Sequence, residues 1–220
     1  MSMFLSSSMG KKLIIASSGI LFCFFLVFHL ANNLLLFAGP DVFNSFVSGL
    51  EKIKPLVRIL EIVLLFILCT HVVNAFFVTR EGKKTKGTSG SPPKEGARSS
   101  FYSRTMGVSG SFIFIFLVIH LSTFWYRFQV KENHSSYYDT VMSPSVGFGN
   151  LFVTLIYLIA MVFLGFHLRH GFQSAIQTFG IKHTKMGRFV VSLSILFWLL
   201  IPLGFFSIAF WFGILGGSVK

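Results

Sequence analysis

The chain has 220 residues, 53% of them hydrophobic and only 12% charged, with 29 phenylalanines. That balance excludes a soluble globular domain, and five apolar runs long enough to cross a bilayer leave no room for a long soluble segment between them. The net charge of +12 would suit a nucleic-acid binder if the protein were soluble; in a membrane protein its distribution matters more than its size.

The predicted fold is all-α: one membrane domain, 1–220, built from five transmembrane helices at about 13–37, 56–78, 106–125, 151–168 and 189–215. Lys11, Lys12, the seven basic residues from Arg80 to Arg104, Arg169, Lys182, Lys185 and Arg188 place 13 cations on one side, against six on the other. Excess Lys and Arg mark the cytoplasmic face, so the amino terminus is expected in the cytoplasm and the carboxyl terminus outside. Attraction to anionic lipid head groups is a secondary role, and no nucleic-acid partner is expected.

In chain order, a short polar lead precedes the first helix, whose 25-residue apolar run exceeds a signal-peptide core and has no small-x-small cleavage pattern after Phe37, so it reads as a retained helix. Ala38-Gly39-Pro40 ends it. Phe43, Phe46, Val47 and Leu50 then recur at helical spacing after Asp41, a candidate cap, and predict a short helix in the outer interface with Glu51 at its end. The second helix begins near Pro55 and returns to the inside, where 81–100, rich in Gly, Ser, Lys and Pro, reads as a flexible cytoplasmic loop, either a plain linker or part of a docking face. The third helix ends in Trp125-Tyr126-Arg127, an interfacial signature that Tyr137 and Tyr138 repeat in the next loop. The fourth helix ends near Gly171. The fifth carries Pro202 and Gly204 mid-span, which predict a kink without termination.

Four of these helices each carry one histidine within the apolar run: His29, His71, His120 and His167. An ionisable side chain at such depth is costly and usually functional. The first and third helices run outward and hold His29 and His120 late; the second and fourth run inward and hold His71 and His167 late. Topology therefore pairs His29 with His120 toward the outer surface and His71 with His167 toward the cytoplasm. Two imidazoles gripping one iron porphyrin from opposite faces give a six-coordinate haem with no open position, a site for electron transfer. A histidine bonded to a backbone carbonyl or facing a polar cavity is the alternative for any one of the four, and His170 rivals His167. His134 and His183 fall in loops, where solvated histidine is the default. Cys23 and Cys69 form no haem-attachment motif and read as packing residues.

A second pattern supports two stacked haems. Ten and eleven residues before His29 stand Gly19 and Ser18, and the same offsets before His120 give Gly110 and Ser109. Eleven residues are nearly three helical turns, so these small residues share the histidine's face about 16 Å away along the axis. There they leave room for the other macrocycle, or simply bring helices close together. The same offsets before His71 give Glu61 and Leu60, and before His167 Tyr157 and Ile156.

These residues resemble the five-helix, two-haem cytochrome b membrane anchors of succinate:quinone oxidoreductases, the succinate dehydrogenases and fumarate reductases. The similarity covers nearly the whole chain and rests on His29 followed by Gly39-Pro-Asp-Val-Phe-Asn-Ser45, on Leu60-Glu61-Ile62 before His71, on His120, and on Phe166-His167 followed by Gly171 and Thr178-Phe-Gly-Ile181. The resemblance implies a multi-pass subunit of the bacterial cytoplasmic membrane with two haem b groups and no succinate chemistry of its own. It would pass electrons between quinone, by expectation menaquinone, and an iron–sulfur subunit docked on its basic face beside a flavoprotein carrying FAD; such complexes can dimerise. It favours His167 over His170, since the ligand precedes the Gly171 position by four. It also matches Glu51, 22 residues beyond His29, to a carboxylate that takes the proton when quinol is oxidised, the alternative being an ordinary solvated Glu beside Lys52. Glu61, among apolar residues, is a second quinone or proton candidate, or equally a partner of Arg58 three residues before it. Where some relatives carry a proton-moving Glu two residues before the fourth ligand, this chain has Gly165, so the resemblance does not extend to that pathway. Two other readings compete: the di-haem subunit of another dehydrogenase such as a hydrogenase, and a transporter with a histidine-lined proton path.

Overall fold

The computed structural model describes residues 7–88, 101–130, 136–181 and 185–217. Among the described residues every regular element is helical. Helix α1 (Ser8–Leu34) tightens into a 3₁₀ turn (Leu35–Ala38); α2 is Pro40–Glu51 and α3 Lys54–Thr88. Helix α4 (Phe101–His120) continues through a π-helical turn (Leu121–Trp125) and Tyr126–Gln129; α5 is Tyr137–Met142 and α6 Leu151–Thr178. Helix α7 (Lys185–Ile195) passes through another π-helical turn (Leu196–Leu200) into α8 (Ile201–Gly213). Five stretches are long and apolar enough to cross a membrane: Ser8–Ala38, Lys54–Gly82, Thr105–Gln129, Leu151–Thr178 and Arg188–Gly213. The all-helical, multi-pass architecture expected from the sequence is thus present.

Neighbouring spans alternate in direction. Lys11 near the start of α1 pairs with Glu81 near the end of α3. Phe124 beyond α4 packs on Tyr157 early in α6, and Gly165 of α6 meets Trp198 while Thr154 meets Gly213. The last span runs parallel to α1, with Phe24 on Phe197, Leu30 on Gly204 and Phe37 on Phe212. Helix α6 is the hub, packed against α1, α4 and α8. Helix α3 lies along α1, and no residue of its apolar span is buried. The end holding Lys11 and Glu81 is called the basic end below, and the end holding α2 and α5 the cap end.

In hydrocarbon, apolar side chains gain little by leaving lipid, so helices associate through close packing at small residues. A Cβ on Gly213 would overlap the Thr154 side chain, and one on Gly204 would come within 2.7 Å of Leu30. Thr154 is fully buried and donates to the Phe148 carbonyl at 3.0 Å, tying the cap-end turn to α6. Pro202 cannot donate to the carbonyl four residues back, at Trp198, and the preceding π-helical turn accommodates the proline without ending the span. Gly165 faces that carbonyl: a Cβ there would stand 3.2 Å from it. A glutamate at this position would therefore require the backbones to separate.

Several expectations need correction. Residues 81–88 continue α3 as helix, so the predicted loop 81–100 begins later, and 89–100 lie outside the described residues. The fourth span runs to Thr178 instead of ending at 168–171, because falling hydropathy marks where apolar character stops, and no proline interrupts the backbone ladder there. The short helix at the cap end forms as α2, yet Asp41 is not its cap. Gly39, with a φ of 97° that favours glycine, precedes Pro40 in the first turn, and Asp41 sits within that turn, where a carboxylate complements the helix dipole. Tyr137 and Tyr138 do not anchor an interface. Both are buried in α5, which Ser136 caps by accepting from the Asp139 amide at 3.2 Å. His134 and His183 lie outside the described residues.

Candidate functional site

His29 on α1 and His120 at the end of α4 meet directly: their ring centroids are 5.8 Å apart and their planes nearly perpendicular, at 86°. Aromatic rings surround them. Phe25 stacks on His29 at 5.3 Å, Phe116 on His120 at 5.8 Å, and Phe205 closes on His29 at 5.5 Å. The Tyr157 hydroxyl lies 2.9 Å from His120 Nδ1. The π-helical turn begins immediately after His120, and such turns often mark functional positions.

His71 and His167 occupy the other level. The Ser18 hydroxyl is 2.8 Å from His71 Nδ1, and a Cβ on Gly19 would come within 3.7 Å of His71 Cε1. A Cβ on Gly110 would stand 3.4 Å from His167 Cε1. The Ser18-Gly19 step of α1 therefore seats His71, and Gly110 of α4 seats His167. Both steps sit at equal offsets from His29 and His120, which touch each other, so the four imidazoles form two levels. No ring contact joins His71 to His167, and His167 Nδ1 is buried without a hydrogen-bond partner among the described residues. Gly110 meets His167 and not His170.

Ser109 is buried, but its hydroxyl donates to the Met106 carbonyl of its own helix at 3.1 Å and does not reach His167. Glu61 is held by Arg58 at 2.8 Å, and Arg58 also donates to the Gln129 carbonyl at 3.3 Å and lies over Trp125 at 5.5 Å. Its carboxylate is thus engaged in an ion pair one turn along its own helix. Glu51 is exposed at the cap end and accepts a hydrogen bond from the Tyr137 hydroxyl. Asn44 ties α2 to α5 by donating to Ser136 Oγ at 3.0 Å and accepting from the Tyr138 amide at 2.9 Å. Loss of hydration, then the hydrogen bond to Glu51 and its charge, raise the Tyr137 phenol well above its ordinary range. Tyr137 therefore stays a donor to Glu51 through the physiological range. Both cysteines are free; Cys23 is buried among packing residues and Cys69 is exposed.

The donor set can be tested against a metal. Among the described residues no three His, Cys, Asp or Glu side chains gather, so an ion needing four protein ligands finds no site. Two opposed imidazoles suit a metal that brings its own equatorial nitrogens, as a porphyrin does. With metal–imidazole bonds of about 2.0–2.1 Å, two such rings have centroids roughly 6 Å apart, and the His29–His120 separation of 5.8 Å fits. At the other level Gly19 and Gly110 let the His71 and His167 rings approach α1 and α4, and the buried His167 Nδ1 keeps no hydrogen-bond partner among the described residues. Sequence reasoning overlooked Tyr157 as a partner of His120, although the ten-residue offset before His167 lands on it.

No protein-family model, curated protein or solved structure matches the chain.

Proposed function

We propose that this chain is the di-haem cytochrome b membrane anchor of a succinate dehydrogenase or fumarate reductase complex, in a bacterial cytoplasmic membrane. The observation that carries the reading is the two-level arrangement: one imidazole pair in ring contact, and a second pair of which His71 meets Ser18 and Gly19 and His167 meets Gly110, all within helices long and apolar enough to cross a membrane. His29 and His120 would hold one haem b, and His71 and His167 the other. When bound, these groups supply one-electron transfer across the membrane thickness.

The chain's own residues bind and orient. Four helices supply one imidazole each, and two imidazoles on each group would leave no site there for oxygen or substrate. Phe25, Phe116, Phe124 and Phe205 exclude water from the cap-end pair. Glu51, exposed at the cap end and bonded by the Tyr137 hydroxyl, would take a proton released as quinol is oxidised there. The basic end, facing the cytoplasm, offers cations to a docked iron–sulfur subunit, which with its FAD-carrying flavoprotein partner would supply the succinate chemistry that this subunit lacks.

The test is to purify the chain with its native partners from membranes and add succinate. A b-type absorption band that reduces with succinate and reoxidises with a menaquinone or ubiquinone analogue is the expected result. A b-type pigment that succinate leaves oxidised while another donor, such as hydrogen, reduces it would assign the chain to a different dehydrogenase.

A further inference from the structure

We propose that Tyr157 and Ser18 are matched positioning residues: each accepts the Nδ1 proton of one imidazole in each pair, turns that ring's Nε2 toward the iron, and lowers the midpoint potential of the haem at its own level. This inference rests on the di-haem reading.

Ser18 offers His71 an acceptor. Its hydroxyl oxygen lies 2.6 Å from the Ile14 carbonyl and 3.1 Å from the Ile15 carbonyl. With the hydroxyl proton directed at those carbonyls, a lone pair faces His71 Nδ1 at 2.8 Å. In that arrangement Nδ1 carries the imidazole proton, which leaves the Nε2 lone pair free to bind a metal. At the other level the Tyr157 oxygen lies 2.9 Å from His120 Nδ1. A neutral imidazole bound to metal through Nε2 keeps its proton on Nδ1, so in that state Tyr157 accepts. The phenol has little freedom to turn away. Its ring is buried and held edge-on by Phe116 at 4.8 Å and Phe148 at 5.2 Å.

The opposite ligands lack this support: His167 Nδ1 has no partner, and no hydrogen bond from the His29 ring is formed among the described residues. Each level therefore combines one oriented imidazole with one set by packing alone. A metal-bound histidine normally donates its second N–H to an acceptor, which fixes the ring and raises the ligand's basicity. A more basic axial ligand favours the ferric state and so lowers the potential. The two levels use different acceptors, a phenol at one and an aliphatic hydroxyl at the other.

The experiment is a spectroscopic redox titration of the haem-loaded full chain and its Tyr157→Phe and Ser18→Ala variants, with the haems assigned beforehand from His120→Ala and His71→Ala proteins. Tyr157→Phe keeps the packed ring and removes only the oxygen. The cap-end midpoint should rise in Tyr157→Phe with the other unmoved, and the reverse should hold in Ser18→Ala. An unchanged cap-end midpoint in Tyr157→Phe, or equal movement of both haems in either variant, overturns the inference. A wild-type protein without two b-type haems overturns the di-haem reading instead, before any variant is compared.

Discussion

At the cap end, His29 and His120 meet ring to ring inside an aromatic cluster of Phe116, Phe124, Phe148 and Tyr157 that continues into α2 and α5. At the basic end, no ring contact between His71 and His167 is formed among the described residues; His71 rests on the Ser18-Gly19 step of α1 and His167 against Gly110 of α4, and α3 packs mainly along α1. Protein packing holds the first pair in place. Absent side chains reserve space for the second. The basic-end level thus depends on the close approach that the small residues Gly19 and Gly110 allow, whereas aromatic packing surrounds the cap-end pair.

The sharpest way to break this comparison is to remove ligands. Replacing His29 or His120 by Ala should abolish the same haem, and replacing His71 or His167 the other, as measured by reduced-minus-oxidised spectra. Loss of one haem from His29→Ala and a different one from His120→Ala would show the levels to be wrongly paired.

Next in size is the space at the basic end. Gly110→Ala adds a Cβ 3.4 Å from His167, an ordinary contact, and should leave both haems in place. Gly110→Leu fills the site and should cost most of the basic-end haem while sparing the cap-end one. Equal loss of both would deny that the two levels are independent.

Overpacking at the cap end should act on stability instead of occupancy. In Gly213→Ala the new methyl overlaps Thr154, and overpacking of this kind destabilises by about 1–3 kcal/mol. Thermal unfolding in detergent should show a lowered midpoint with the haem content of the folded fraction unchanged.

The smallest effect is expected at Tyr137. Its hydrogen bond to the exposed Glu51 is worth about 0.5–1.5 kcal/mol, toward the lower end because water screens the carboxylate. The folded phenol titrates above its unfolded value of about 10, so its contribution is complete below that pH and fades as pH rises through the folded value. Tyr137→Phe should therefore remove an alkaline loss of stability that the wild type shows above about pH 10, measured by unfolding at stepped pH.

Much of this was legible in the sequence, because bilayer thickness and the 3.6-residue repeat are strong constraints. Apolar runs gave five spans, late histidines on alternating helices gave two levels, and of the residues at the Ser-Gly offsets from His29 and His120, Ser18 and Gly19 meet His71 and Gly110 meets His167, while Ser109 turns to its own helix. Helix ends were harder to read, since α3 and α6 run on into polar sequence that no hydropathy threshold includes. Asp41 looked like a cap because its side chain suits one; Gly39 and Pro40 set the backbone there first. Tyr137 and Tyr138 looked interfacial because aromatic rings in a short polar loop carry no mark of a small helix folding over them. Tyr157 was within reach of the same offset that found Gly19 and Gly110. It was overlooked because a bulky residue at that position breaks a pattern of small ones, while its hydroxyl answers a different need, the second nitrogen of His120.

The central claim is that the two histidine levels each hold one porphyrin. Quantifying haem b per polypeptide in the purified full-length protein tests it most directly. Two equivalents per chain, falling to one in His120→Ala and to one in His71→Ala, is the predicted result. A folded, intact wild-type protein carrying no haem b, or a single equivalent, would contradict it.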